Sequence, residues 1–386
     1  MMATHSPNAQ GRAGANLLAG HTPATFLRRY WQKEALLVRG AMPHSDPICT
    51  RSELIELAGR DDVDARVIVN QHGRWSLLNG PLRKAVFRSL PATGWTLLVQ
   101  GVNLYSAAAD ALLHRFAFLP YARLDDLMVS YAVPGGGVGP HFDSYDVFLL
   151  QGTGRRRWRY GRQTDLTLKA NVPLKLLRRF APQHDAALEQ GDLLYLPPSY
   201  AHHGVAITDC TTYSIGFRAA THNELAQGFL DFLRDRCAFL GRYADPDLAA
   251  GREPARISQA MQKEVAGVLA QIRWDKGTTK RFLGSFLSEP KPVVVFARPA
   301  RRLSPHAFAA RAARSGMRLD RRTLWLYDRD AVYVNGEAYP WPPGKRSLFA
   351  NLANTRKLGS RAAAALSAEQ IQFLHDGYHH GFLHIG

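Results

Sequence analysis

Pro134-Gly135-Gly136-Gly137-Val138-Gly139-Pro140-His141-Phe142-Asp143, continued by Ser144-Tyr145-Asp146-Val147-Phe148-Leu149-Leu150-Gln151-Gly152, is the stretch that decides how this chain is read. Four glycines between two prolines let the backbone turn tightly, and an apolar β-type run follows. In an extended strand, residues i and i+2 project to the same side. His141 and Asp143 therefore offer an imidazole nitrogen and a carboxylate oxygen to one point, while Phe142 faces away. A third ligand comes from the run Asp192–Leu196, which passes through Pro197-Pro198-Ser199-Tyr200-Ala201 into His202, 61 positions after His141. Two histidines and one carboxylate on one face of Fe(II) form the facial triad, which leaves coordination positions open for a bidentate cosubstrate and for dioxygen. His203 points the opposite way along the same strand, and spacing alone does not choose between it and His202.

Outward from this core, residues 95–219 hold many short β-type runs separated by Gly and Pro: WTLLVQG, DLMVSYAV, DVFLLQG, RRWRYG, DLLYLPP, HGVAI and TTYSIGFRA. Strands at this spacing, without long helices between them, predict a sandwich or barrel. Within Arg155–Tyr160 the two-residue period separates Arg155, Arg157 and Arg159 from Arg156, Trp158 and Tyr160. The first set belongs in solvent. The second places one guanidinium among aromatics, an environment suited to gripping a small dicarboxylate through a bidentate pair. Arg156 is the anchor residue on this reading.

The chain has 386 residues, 46% of them apolar and 21% charged, enough for two or three cored domains and too apolar for wholesale disorder. Lys and Arg total 49 against 32 Asp and Glu, a net charge of +17 that attracts phosphate-rich partners. Cys49, Cys210 and Cys237 lie far apart with no CxxC spacing, which excludes a disulfide framework and a thiolate zinc site and fits a reducing cytoplasm. The small polar start and the lack of a long apolar run argue against secretion and membrane spanning.

Four regions are expected. Residues 1–20 form a flexible N-terminus, and residues 21–219 a mainly β catalytic domain opened by a helix and strand in Thr25–Gly40. Residues 220–288 are helical: Leu225, Phe229, Phe232, Leu233 and Leu240 share one face, as do Ile257, Met261, Val265, Leu269 and Ile272. Such faces pack on each other or on a second copy of the chain, so a homodimer is expected. Residues 289–386 read as an α+β winged-helix-like module, with a strand VVVFARP, a helix start at Ser304-Pro305, a β-rich run TLWLYDRDAVYVNGEAY and two terminal helices. From 291 to 386 there are 15 Lys and Arg against 6 Asp and Glu, a local +9.

Together PGGGVGPHFD-x-YDVFLLQGTGRRRWRYG, GDLLYLPPSYAHHG and YSIGFRA resemble the bacterial JmjC-type ribosomal oxygenases, and the likeness extends from FLRRYWQKEALLVRGA to the C-terminal region. The resemblance implies a double-stranded β-helix of cupin type, a helical dimerisation section and a winged-helix end. It implies Fe(II) held by His141, Asp143 and His202, favouring His202 over His203, and 2-oxoglutarate held by Arg156. It further implies dioxygen as the other cosubstrate and, as product, an arginine hydroxylated at its β-carbon in large-subunit ribosomal protein sixteen. The family has a cosubstrate-contacting Ser where this chain has Ala132; Ser130 and Ser214 are the candidates to replace it. Partners then are a ribosomal protein and, from the basic field, ribosomal RNA, with no membrane.

Two other features are weaker. His375, His379, His380 and His384 include i, i+4 pairs able to grip a metal on a helix, but Gly377 and Gly381 interrupt one. The pair Asp125-Asp126 caps a turn or holds a substrate guanidinium. The rival functions are a non-catalytic cupin and winged-helix RNA-binding module, and a JmjC oxygenase acting by histidine hydroxylation or lysine demethylation.

Overall fold

β-Branched and aromatic residues in two-residue alternation build the first half of the chain, and strand pairing, more than helix, shapes it. The computed structural model describes residues 17–42, 47–236, 241–246 and 253–386. Residues 1–16 of the expected flexible start, together with Cys237 and Leu240, lie outside them. The chain divides after Ala219 into two compact units, the first also taking in Pro292–Val295.

In the first unit the strands are β1 Leu36–Val38, β2 Ala65–Gln71, β3 Arg74–Asn79, β4 Trp95–Val99, β5 Leu124–Ala132, β6 Val147–Gln151, β7 Arg156–Arg162, β8 His184–Leu188, β9 Leu193–Leu196, β10 Tyr200–Ala206 and β11 Cys210–Phe217. One sheet runs β1-β9-β6-β11-β5-β4-β2-β3, and a smaller one runs β10-β7-β8. All their ladders are antiparallel. This is the expected mainly β, cupin-like architecture. On the large sheet, Leu127, Val129 and Tyr131 of β5 and Tyr213, Ile215 and Phe217 of β11 enter the main core with Phe26, Phe116, Phe148 and Tyr195. Burying each such ring contributes about 2 to 3 kcal/mol. The opposite parity, Ser130 and Ala132 of β5 with Thr212 and Ser214 of β11, faces the interior between the sheets.

Leu17 and Leu18 are fully buried in that core, so ordered chain begins before the expected boundary at residue 20. The hairpin β2–β3 went unread in the sequence. Its turn uses His72 and Gly73, both at positive φ, and it adds two strands to the edge of the large sheet.

In the second unit, helices Thr221-capped His222–Arg234, Gln259–Leu269 and Lys276–Ser288 are followed by Pro305–Ser315, Arg346–Thr355, Ser360–Ala363 and Ala368–His379. Two small sheets accompany them. Strands β12 Met317–Leu319, β16 Lys357–Leu358 and β17 Leu383–Ile385 form one in the order β16-β12-β17; β13 Trp325–Tyr327, β14 Ala331–Val334 and β15 Glu337–Pro340 form the other. Phe308, Phe349, Leu352 and Leu374 fill the core of this winged-helix fold. Ser304 caps Pro305–Ser315 as expected.

Three expectations change here. VVVFARP pairs with no strand, and Val295 is 73% exposed, because β-propensity without a partner ladder does not make a strand. The helix Lys276–Ser288 lies on β14, where the Tyr333 ring fills the space beside Gly284, so the C-terminal module begins ahead of residue 289. Helix Ala368–His379 runs through Gly377 and is capped by His380 just ahead of Gly381, and strand β17 follows it instead of the chain ending on a helix.

Candidate functional site

Gly137 lies so close to the backbone of Gly204 that a Cβ there would come within 2.4 Å of the Gly204 oxygen. That approach carries the chain from β5 to the side of β10. There His141 and His202 exchange backbone hydrogen bonds, His141 N–H to His202 O at 3.0 Å and His202 N–H to His141 O at 2.8 Å. Facing residues of such a pair project together, and the two imidazole rings lie 4.2 Å apart. Ser199 N–H donates to Asp143 O at 2.8 Å, which ties the third residue to the turn before β10.

The imidazoles are oriented by backbone. Nδ1 of His141 lies 2.9 Å from Gly139 O, and Nδ1 of His202 lies 2.9 Å from Tyr200 O, so each Nε2 is left for another partner. His202 Nε2 is 3.7 Å from Asp143 Oδ2. Burial, and then the neighbouring His141, hold the His202 imidazole well below its usual range, against the pull of Asp143. Among the described residues, His141, Asp143 and His202 are the one group of three or more His, Cys, Asp or Glu side chains whose ligand atoms converge, all within 4.8 Å. Two imidazoles and a carboxylate suit Fe(II) with open coordination positions.

His203 is directed elsewhere. Its Nδ1 meets Arg159 Nη2 at 3.1 Å, and burial with the Arg159 charge pushes its pKa down to about 4.

Strand β7 shows the two-residue period: Arg156, Trp158 and Tyr160 are buried and Arg157 is exposed. Arg157 pairs with Asp185, and Arg155 with Glu189, on the outer side. In the register with β10, Arg156 stands opposite Ala206, Trp158 opposite Gly204, and Tyr160 opposite His202. Arg156 and His202 thus share the interior face four residues apart, about 13 Å along the strands. Arg156 is 4% exposed. Its Nη1 donates to Ser130 Oγ at 3.4 Å, whereas its Nε and Nη2 are buried without a hydrogen-bond partner. A buried guanidinium with unmet donors is costly unless an acceptor arrives. One side of a carboxylate supplies the missing pair of acceptors, so the residues fit a dicarboxylate such as 2-oxoglutarate.

Ser130 is thereby placed on Arg156. Ser214, opposite Met128 on the same interior face, lies one ladder step further on, and Ala132 sits in a small buried cluster with Ala206 and Cys210.

Asp125 pairs with Arg218 at 3.8 Å, and Asp126 accepts from Gly101 N–H at 3.2 Å. A Cβ on Gly216 would lie 3.7 Å from Asp126 Oδ1 and 3.8 Å from the Tyr145 ring, so these groups border the same strand end. Burial, followed by the charges of Asp143, Asp126 and Asp125, raises the Tyr145 phenol above its usual range.

The C-terminal histidines do not converge. His375 Nε2 and His379 Nε2 both meet Leu303 O, His380 Nδ1 meets Asp376 O, and His384 Nε2 meets Asp320 Oδ2.

One support was invisible in sequence. Leu177 N–H donates to Pro140 O at 2.8 Å, and at Gly139 a Cβ would strike Leu176 and the Trp75 ring. The loop between β7 and β8 and strand β3 therefore brace the residues leading into His141. Those contacts span 37 and 64 positions, and no local pattern marks them.

A double-stranded β-helix that gathers two imidazoles and a carboxylate on the same interior face as a buried, half-satisfied arginine defines a JmjC-type oxygenase. Comparison with known proteins agrees: residues 111–225 match the JmjC domain, and residues 271–384 the ROXA-like winged helix. The chain is 38% identical over 340 residues to the ribosomal protein uL16 3-hydroxylase of Escherichia coli K12, covering 86% of this chain and 89% of that protein. It is 37% identical over 249 residues to a probable ribosomal oxygenase of Haemophilus influenzae, covering 63% of this chain and 59% of that protein. The solved structure of YcfD, a ribosomal oxygenase from E. coli, in complex with cobalt and 2-oxoglutarate superposes with a TM-score of 0.79 at 32% identity, covering 94% of this chain and 97% of that one. The chain belongs to the bacterial JmjC ribosomal oxygenases, Fe(II)- and 2-oxoglutarate-dependent enzymes.

Proposed function

We propose that this chain hydroxylates the β-carbon of an arginine in ribosomal protein uL16, the large-subunit protein sixteen. His141, Asp143 and His202 hold Fe(II), and Arg156 holds the far carboxylate of 2-oxoglutarate. The observation that carries the reading is Arg156, a buried cation with two unmet donors on the same strand face as His202.

The iron with 2-oxoglutarate and dioxygen supplies the oxidising power for replacing C–H by C–OH, and succinate and CO2 are released. The chain's own residues do the positioning. Gly139 O and Tyr200 O fix the two imidazoles and Ser130 sets the Arg156 guanidinium, with Ser214 on the same strand parity as Thr212 opposite Ser130. Asp143, Asp126 and Asp125 all act on the Tyr145 phenol, against Arg66 and with Asp125 paired to Arg218, and these carboxylates beside the ligand group support a cationic substrate side chain there.

The reading includes a cytoplasmic enzyme, where ribosomal proteins are made, that contacts ribosomal RNA through its basic surface. No helix among the described residues is long and apolar enough to cross a membrane.

It also includes a homodimer. Helix Gln259–Leu269 buries none of its residues, and Met261, Val265, Val268 and Leu269, at 38 to 60% exposure, line one side of it. A helix this short is marginal alone in water, and a partner copy is the simplest cover for its stripe. Sedimentation of Val265→Glu/Leu269→Glu is expected to give monomers from a dimeric parent; an unchanged mass rules out this interface.

The function itself is tested by incubating the iron-loaded enzyme with purified uL16, 2-oxoglutarate and dioxygen. Expected are succinate and a mass gain of one oxygen atom on an arginine. Succinate release with the oxygen found on histidine, or demethylation of a methyl-lysine peptide, overturns the substrate; no succinate under any condition overturns the enzyme.

A further inference from the structure

The sheet β16-β12-β17 has two unlike faces. Met317, Leu319, Leu358 and Leu383 point into the core of the winged-helix fold and are at most 5% exposed. The other parity sets Arg318 directly across from Lys357 on one side and from His384 on the other. Facing residues of an antiparallel ladder project together, with Cβ atoms about 4.5 to 5.5 Å apart. The outer face therefore carries a row of Lys357, Arg318 and His384.

Arg318 and Lys357 are exposed, and among the described residues no hydrogen bond or ion pair engages either side chain. His384 Nε2 lies 2.7 Å from Asp320 Oδ2, so an acid stands at one end of the row and leaves the other two charges uncompensated.

The other sheet of this unit is balanced differently. In the turn between β13 and β14, Arg329 sits between Asp328 and Asp330, and Asp330 also takes Lys280 at 2.8 Å. Within the +9 of residues 291–386, the cations of the first sheet's outer row are thus uncompensated, whereas acids flank the cation of the second sheet's turn. The outer row presents no Phe, Tyr or Trp on which a base would stack and no apolar side chain to enter a bilayer. Flat, uncompensated cations of this kind match phosphates, which position a nucleic acid without reading its sequence.

We infer that the outer face of β16-β12-β17 docks the sugar-phosphate backbone of structured RNA, through Arg318 and Lys357 with His384 beside them. The inference rests on the reading that the enzyme works in contact with ribosomal RNA.

The test uses the full chain and a fluorescent 20-base-pair RNA duplex of mixed sequence, with affinity followed by anisotropy from about 50 to 200 mM KCl. Each phosphate contact contributes close to one unit to the slope of log affinity against log salt. Arg318→Ala/Lys357→Ala is expected to bind more weakly with a slope shallower by about 2, so its deficit shrinks roughly tenfold across that salt range. Arg318→Lys, which keeps the charge, is expected to keep the slope, and Arg329→Ala to match wild type.

If the wild-type chain binds no duplex at the low-salt end, the RNA-contact reading fails and this inference with it. If wild type binds and the double variant has the same affinity and slope, the face is wrong while RNA contact stands. Loss of binding to phosphatidylserine vesicles by the double variant, with RNA binding unchanged, overturns the inference in favour of a membrane.

Discussion

Two groups of histidines lie in different units of this chain, and only one of them has the geometry of a metal site. At His141 and His202 the backbone carbonyls of Gly139 and Tyr200 take Nδ1, which turns each Nε2 toward the other and toward Asp143. At His375 and His379 the same ring nitrogen, Nε2, is consumed by one carbonyl, Leu303 O, and no carboxylate joins them. The i, i+4 spacing on Ala368–His379 brings the rings 4.1 Å apart, as close as His141 and His202, yet the arrangement is a strut. Which nitrogen the backbone claims decides between ligand and strut, and ring proximity does not.

Replacing a ligand breaks the first group outright. His141→Ala and Asp143→Ala are each expected to lose stoichiometric Co(II) binding, followed by absorption spectroscopy, and all succinate production, while the melting temperature of the apo chain stays near that of wild type. His202→Ala is expected to behave alike. Full turnover by any of the three sinks the triad.

Next in size is the far end of the cosubstrate. Arg156→Ala removes one member of a buried charged pair, at a cost on the order of 3 to 5 kcal/mol. Titration with 2-oxoglutarate should then show affinity lower by about two to three and a half decades. Arg156→Lys recovers little, because an ammonium cannot reproduce the planar fork. Arg155→Ala and Arg157→Ala, on the exposed side, shift the apparent constant only a few-fold; a crippled Arg157→Ala would mean that β7 is read one residue out of register.

The second histidine group sharpens the comparison from the other side. His375→Ala strips a buried partner from Leu303 O and should lower unfolding stability by about 1 to 3 kcal/mol in urea denaturation, with metal stoichiometry unchanged. A drop in bound metal would show that the C-terminal histidines hold an ion after all.

His203→Ala is the smallest. With its ring turned to Arg159, it should leave metal affinity unchanged and turnover within a few-fold of wild type.

Much of this was legible in the chain. The period of Arg155–Tyr160 located Arg156 in the interior, and Ser304-Pro305 and Asn335-Gly336 mark a helix start and a hairpin turn where they are found. The remainder depended on partners distant in sequence. His184–Leu188, with an Asp and two Ala, has poor strand propensity but forms β8 because β7 offers it a ladder and Arg157 an ion pair for Asp185. Val293–Val295 has the better propensity and no ladder, and it forms no strand. For the same reason the brace from Leu176, Leu177 and Trp75 onto Gly139 and Pro140 could not be foreseen: nothing near His141 in sequence announces it.

The burial of His202 has a further consequence for how the enzyme is charged with metal. A ligand usually surrenders a proton when an ion displaces it, so loading a site is paid in protons and becomes harder as a solution acidifies. Burial and then His141 shift His202 toward the neutral form, against the pull of Asp143. That is the form an ion needs, so this ligand gives up less proton on loading than a solvent-exposed imidazole would.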